Sequence, residues 1–216
     1  MIKKIQNLKS CEIDKDIYIL ANAPSVKSHD LSKLKGKIVI GMNANPLLEK
    51  EFGFVSDYYV VSDLRFINHP EKRKMATEML NHKTKRIFKS ALKKVDDKMI
   101  SNDTYYIETL GKNGFSFDLN KGYYFGCTTT MLAIQLAYYL GAKNIYLLGV
   151  DLRYSGDNPR FYKETEVQEF DSFTSVQLSN IRNAYNELQT NNVNLFNCEK
   201  KSLLFPYLPY KNFKEI

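Results

Sequence analysis

Apolar residues fall along this chain in short, nearly continuous runs separated by helix-length stretches, a rhythm that predicts an α/β fold. Residues 16–21 (DIYILA), 37–42 (KIVIGM) and 57–62 (DYYVVS) read as strands, each rich in β-formers and closed by a polar turn residue. A Lys-rich helix is expected near 70–80, weaker strands over 84–88 and 105–107, and then a glycine-containing loop up to Gly126. Residues 127–140 form a nearly all-apolar helix with threonines at its start and Gly141 at its end, a pattern that predicts central burial. Directly behind it, 144–150 (NIYLLGV) reads as a strand covered on both faces. A last helix over 174–189 and a last strand over 192–197 complete the order, and the aromatic tail 205–210 (FPYLPY) is expected to pack across the fold. The expectation is a single Rossmann-like α/β domain over residues 1–216, with a mostly parallel sheet and helices on both faces.

Composition narrows the class. A chain of 216 residues with 44% hydrophobic and 13% aromatic content can bury a full core. No apolar run approaches the roughly 18 to 20 residues that span a bilayer. The opening MIKKIQNLKSCEIDKD lacks the apolar centre of a secretory signal, so a cytoplasmic protein is expected. The three cysteines, Cys11, Cys127 and Cys198, have no CxxC spacing and read as reduced, mostly buried thiols rather than a disulfide framework or zinc site. Against 24 acidic residues stand 31 Lys and Arg, a formal charge of +7 that favours an anionic partner. The Lys-rich stretches 72–74 and 83–94 read as a solvated face without the aromatic interleaving of a nucleic-acid groove, so no specific nucleic-acid partner is expected. Peripheral association with the inner face of a membrane and homo-oligomerisation are both compatible with that surface.

In open parallel sheets ligands bind outside the carboxyl ends of the strands. Asn22, Asn43, Asp63 and Asp151 all fall at such ends. The turns at 23–25 and 126–129 precede helical segments, whose free N–H groups suit phosphate oxygens, and Ser25, Thr128 and Thr129 add hydroxyl donors. Neither GxGxxG nor GxxxxGK[ST] occurs, which disfavours a conventional P-loop kinase. The Asp14/Asp16 pair lies at the wrong end of its strand for a metal, and no metal ligand set is expected. His29, His69 and His82 sit in polar contexts and are expected to be exposed. After Asp151 a polar loop brings Arg153, Tyr154, Arg160, Tyr162 and Lys163 to the same edge, where Arg and Tyr can stabilise charge on a departing phosphate.

The turn Leu20-Ala-Asn-Ala-Pro-Ser-Val resembles a G-N-G-P-S-L turn, and Gly126-Cys-Thr-Thr-Thr with the strand Ile145-Tyr-Leu-Leu-Gly-Val-Asp151 resembles a G-x-T helix followed by I-Y-L-x-G-x-D. Both occur in MptE-like proteins, named for an archaeal 6-hydroxymethylpterin diphosphokinase, and in similar form in bacterial sialyltransferases of glycosyltransferase family 42. The resemblance implies a nucleotide site held by Asn22, Asn43, Thr128 and Thr129, beside which Ser25 and Gly149 are further candidates, and Tyr154 and Tyr162 are the nearest candidates for the tyrosines that assist phosphate departure in the sialyltransferases. This chain has Ala21 and Ala23 where glycines are usual, and no histidine follows His82, whereas the sialyltransferases carry a catalytic histidine beyond the loop. Proton acceptance would then fall to Asp63, Asp151 or Glu164. The expected function is a nucleotide-sugar-dependent glycosyltransferase of surface-glycan assembly, with a glycan acceptor and no required cofactor. The alternatives are an MptE-like diphosphokinase using ATP and Mg²⁺, or a non-catalytic module that binds an anionic ligand.

Overall fold

In chain order the elements are β1 (Asp16–Leu20), β2 (Ile38–Met42), α1 (Asn45–Phe52), β3 (Tyr58–Val61), α2 (Leu64–Asn68), α3 (Pro70–Thr77), β4 (Lys85–Lys89) and β5 (Thr104–Ile107). There follow β6 (Thr109–Gly111), β7 (Tyr123–Tyr124), α4 (Thr129–Leu140), β8 (Asn144–Leu148), α5 (Thr174–Thr190) and β9 (Asn194–Asn197). They belong to a computed structural model that describes residues 3–94, 104–154, 159–163 and 171–216.

Seven strands form one sheet in the order β5-β4-β3-β2-β1-β8-β9, and every registered pair is parallel. The order climbs outward from β1 on one side and restarts at β8 on the other, so the topology reverses between β1 and β8. Ile17 pairs with Ile145 and Leu20 with Leu148, which keeps the carboxyl ends of these two strands level. Alternation along the strands divides the core between two faces. Ile17, Ile19, Tyr58 and Val60 pack with α4 and α5 on one face, while Tyr18, Leu20, Tyr59 and Val61 pack with α1, α2 and α3 residues on the other. This is the doubly wound α/β fold expected.

Helix α4 is the central support, with all but one of its residues buried. It starts at Thr129 rather than Cys127, because Cys127 holds φ +58 and Thr128 acts as the N-cap, its hydroxyl accepting from the Thr130 N–H at 3.3 Å. Helices α1 and α2 and the β6–β7 pair were not expected from the pattern. The tail packs through Leu204, Leu208 and Phe213, whereas Phe205 and Tyr207 face solvent. Cys11 is exposed, contrary to the expectation of mostly buried thiols, and Cys198 is buried. Among the described residues no helix is long and apolar enough to cross a membrane.

Candidate functional site

At the topological reversal, the carboxyl ends of β1, β2, β3 and β8 and the amino terminus of α4 surround a cleft. The space between them, open mouth included, is about 620 Å³. Asn22, Asn43, Asp63, Thr128, Thr129, Gly149, Asp151 and Tyr154 all line it. Ser25 stands just behind, its hydroxyl donating to Asp151 Oδ1. Tyr162 is not brought to the cleft: it packs beside Phe161, ring centroids 5.1 Å apart, against the cluster of Tyr59 and Phe88. Glu164 lies outside the described residues.

The partners of each side chain decide what it can offer a ligand. Asn22 is occupied with backbone: its Nδ2 donates to the Met42 carbonyl at 3.3 Å and its Oδ1 accepts from the Ala44 N–H at 3.1 Å. Those two bonds fix the exit of β2. They hold Asn43 at φ +51, a left-handed conformation that asparagine tolerates better than most residues. The Asn43 Oδ1 is buried, and among the described residues it has no hydrogen-bond partner. Asp63 instead caps α2 and receives a fork from Arg65, at 3.1 Å from Nε and 2.8 Å from Nη2. Thr128 caps α4, and Thr129 Oγ1 shares a hydrogen bond of 2.9 Å with Ser62 at the end of β3.

Beyond β8 the backbone is bent and clamped. Leu152 is buried at φ +55, a conformation that costs a leucine roughly 1–2 kcal/mol. Three hydrogen bonds from one short segment hold it there: Ser202 Oγ to the Val150 carbonyl at 2.6 Å, the Leu203 N–H to the Asp151 carbonyl at 3.0 Å, and Arg153 Nε to the Lys201 carbonyl at 2.8 Å. The result is a turn that presents Asp151 and Tyr154 to one cavity. Tyr154 donates to Gln177 Oε1 at 2.8 Å, and the Arg160 guanidinium lies 5.1 Å over its ring. Burial raises the Tyr154 hydroxyl above its ordinary value, so it remains a donor at neutral pH.

Asp151 is a cleft carboxylate whose surroundings favour its protonated form. Burial raises its pKa above 3.8 and the charge of Glu199 adds to the rise, while the Ser25 hydroxyl opposes it. A carboxyl that holds its proton more tightly when folded loses stability as pH climbs from 3.8 through the folded value. Asp151→Asn keeps an oxygen for Ser25 and removes the buried charge. The variant is expected to unfold at higher urea than the parent at neutral pH, with the advantage gone near pH 3.8; equal midpoints at both pH values would refute the assignment.

Several site residues were not anticipated. His29, expected exposed, has a mostly buried side chain with Nε2 2.9 Å from Glu199 Oε1. The same Glu199 oxygen accepts the Gly149 N–H at 2.8 Å. Glu199 follows β9 by two residues, so the strand-end rule that identified Asp151 points to it as well. Arg65, Asp171 and Gln177 also line the cleft without a sequence signal of their own. His82 is exposed as expected. Among the described residues no group of three His, Cys, Asp or Glu could hold a metal ion.

The family model described as 6-hydroxymethylpterin diphosphokinase MptE-like matches residues 1–157. No curated protein matches the chain. Among solved structures, the MAf glycosyltransferase from Magnetospirillum magneticum AMB-1 is similar with a TM-score of 0.67 at 16% identity over 94% of this chain. This chain spans only 34% of that enzyme. The sialyltransferase CstII from Campylobacter jejuni, in complex with the substrate analogue cytidine-5'-monophosphate, is similar with a TM-score of 0.58 at 14% identity, covering 93% of this chain and 88% of that one. The same sialyltransferase with CMP-3FNeuAc gives 0.55 at 17% identity over 91% of this chain and 86% of its own. At such identities the likeness is one of fold.

Proposed function

This chain belongs to the MptE-like family, and from that footing we propose that it is a glycosyltransferase taking a nucleotide-activated sugar at the carboxyl edge of its sheet, in surface-glycan assembly. The observation that carries the reading is the convergence of Asn43, Thr128, Tyr154 and Asp151 on one cleft at the β1/β8 reversal. The shared fold supports it, since the Campylobacter jejuni sialyltransferase was solved with cytidine-5'-monophosphate and with CMP-3FNeuAc.

In the proposed reaction the bond from the sugar's anomeric carbon to the phosphate oxygen breaks, and the acceptor hydroxyl oxygen bonds to that carbon. The acceptor's proton passes to Asp151, whose carboxyl is raised above its ordinary value by burial. Arg160 stabilises charge on the departing nucleoside phosphate, joined by the Tyr154 hydroxyl when that group turns its one proton from Gln177 to the phosphate. The amino terminus of α4 adds its dipole. Asn43, which lines the cleft at the end of β2, fixes the nucleotide.

The family match favours a second reading, transfer of pyrophosphate from ATP with Mg²⁺. Among the described residues, Asp63 is turned away from that cation by the Arg65 fork on both its oxygens, whereas Asp151 keeps Oδ2 outside the Ser25 hydrogen bond. Thermal unfolding with cytidine nucleotides, a cytidine sugar and ATP, each with and without Mg²⁺, separates the two. A ligand at one hundred times its Kd stabilises by about 2.7 kcal/mol. A metal-independent shift with the cytidine ligands is expected, and a shift confined to ATP with Mg²⁺ would establish the diphosphokinase instead. Asn43→Ala is expected to weaken the stabilising nucleotide by about 1 kcal/mol, roughly fivefold in Kd, and an unchanged Kd would remove the site.

A further inference from the structure

We propose that the rim around the cleft is a docking surface for an anionic phospholipid membrane, so that the mouth of the site opens toward lipid. Large exposed apolar side chains scattered singly over a protein need no explanation. Three of them here share the carboxyl edge of the sheet. Leu64, 39% exposed, opens α2 directly after the cleft residue Asp63; Leu110, 47% exposed, lies on β6 just beyond the end of β5; Phe173, also 47% exposed, caps α5 two residues after the cleft residue Asp171.

Cations are set among them. Lys112 Nζ lies 5.1 Å over the Phe173 ring, and Lys89 at the end of β4 lies 5.1 Å over Phe125. Among the described residues the acidic groups of this rim are hydrogen-bonded, Asp63 by Arg65, Glu108 by the Ser90 hydroxyl, and Asp171 by Gln177 and the Phe173 N–H. Apolar tips with positive neighbours are what an interfacial site requires, the first entering the headgroup boundary and the second meeting anionic headgroups. The net charge of +7 reinforces the attraction. A nucleic acid would be met by the cations alone and would gain nothing from Leu64 and Leu110.

The inference is independent of the reaction assigned to the cleft, because it concerns only which surface approaches it. The chain contains no tryptophan, so Phe173→Trp supplies a single reporter, with Ile13→Trp as its counterpart at the opposite, amino edge. With phosphatidylcholine vesicles containing phosphatidylglycerol, at an ionic strength of about 0.15 M, the tryptophan at 173 is expected to shift to the blue and to be quenched by brominated lipid. The tryptophan at 13 should do neither, and vesicles of phosphatidylcholine alone should bind weakly. The double variant Leu110→Glu/Phe173→Glu, shown to be folded by its thermal transition, is expected to lose roughly tenfold or more in vesicle affinity. Unchanged emission at 173, or equal changes at 173 and 13, would overturn the proposal. So would vesicle binding that is abolished by salt yet indifferent to Leu110 and Phe173, the behaviour of charge alone.

Discussion

Replacing Glu199 by alanine is expected to lower the melting temperature by roughly 6–12 °C, the equivalent of about 3 kcal/mol in a domain of this size. The glutamate is buried, yet one oxygen serves two donors, the Gly149 N–H at 2.8 Å and His29 Nε2 at 2.9 Å. Asn197 holds it in place from below, accepting from the Glu199 N–H at 3.1 Å and donating to its carbonyl at 2.9 Å. Truncation leaves a buried backbone N–H with no acceptor and an imidazole packed edge-on to Phe213, and unpaired buried donors each cost about 1–3 kcal/mol. Glu199→Gln retains an acceptor oxygen and is expected to cost about a third as much. It also removes a negative charge that helps to raise Asp151, so the Asp151 carboxyl should titrate lower in that variant. A melting temperature for Glu199→Ala within about 2 °C of the parent would show that water or a rearranged side chain replaces the carboxylate.

The long-range nature of that contact explains what the sequence pattern reveals and what it does not. Strands β1, β3 and β8 are legible because a strand covered on both faces must be apolar at nearly every position, and these are. Helix α4 is legible for the same reason. The four strand-end residues Asn22, Asn43, Asp63 and Asp151 do share one cleft, since parallel strands carry their carboxyl ends to one edge whatever lies between them. The pattern does not disclose partners. Asn22 reads like Asn43, but its amide is taken up by the Met42 and Ala44 backbone. Asp63 reads like Asp151, but Arg65 two residues on neutralises it at the surface. His29 and Glu199 meet across 170 positions, a distance at which local periodicity carries no information. The β6–β7 pair escapes notice because β7 has only two residues and therefore no period.

Gly149→Ala is expected to destabilise the fold by about 3–4 kcal/mol, several times the cost of Gly36→Ala, although both glycines have positive φ, +69 and +76. The comparison isolates close approach from conformation. A methyl group at 36 meets nothing within 4 Å, so only the left-handed penalty of about 1 kcal/mol applies. At 149 a methyl carbon would stand 2.8 Å from Val26 Cβ and 3.0 Å from the Ala21 carbonyl oxygen. Neither atom belongs to a flexible side-chain end that could swing away. The turn after β1 and the end of β8 are already joined there, by the Ala21 N–H to the Leu148 carbonyl at 2.8 Å and the Ala23 N–H to the Gly149 carbonyl at 3.0 Å. Relief therefore requires the two strand ends to part. That movement would carry Asp151, two residues on, away from Ser25 and widen the cleft at the reversal point. Urea unfolding of the two variants gives the difference directly. Equal losses would mean that the β1/β8 crevice yields without cost, whereas the larger loss at 149, together with weakened nucleotide stabilisation, would show that the tightness of this one approach sets the shape of the site.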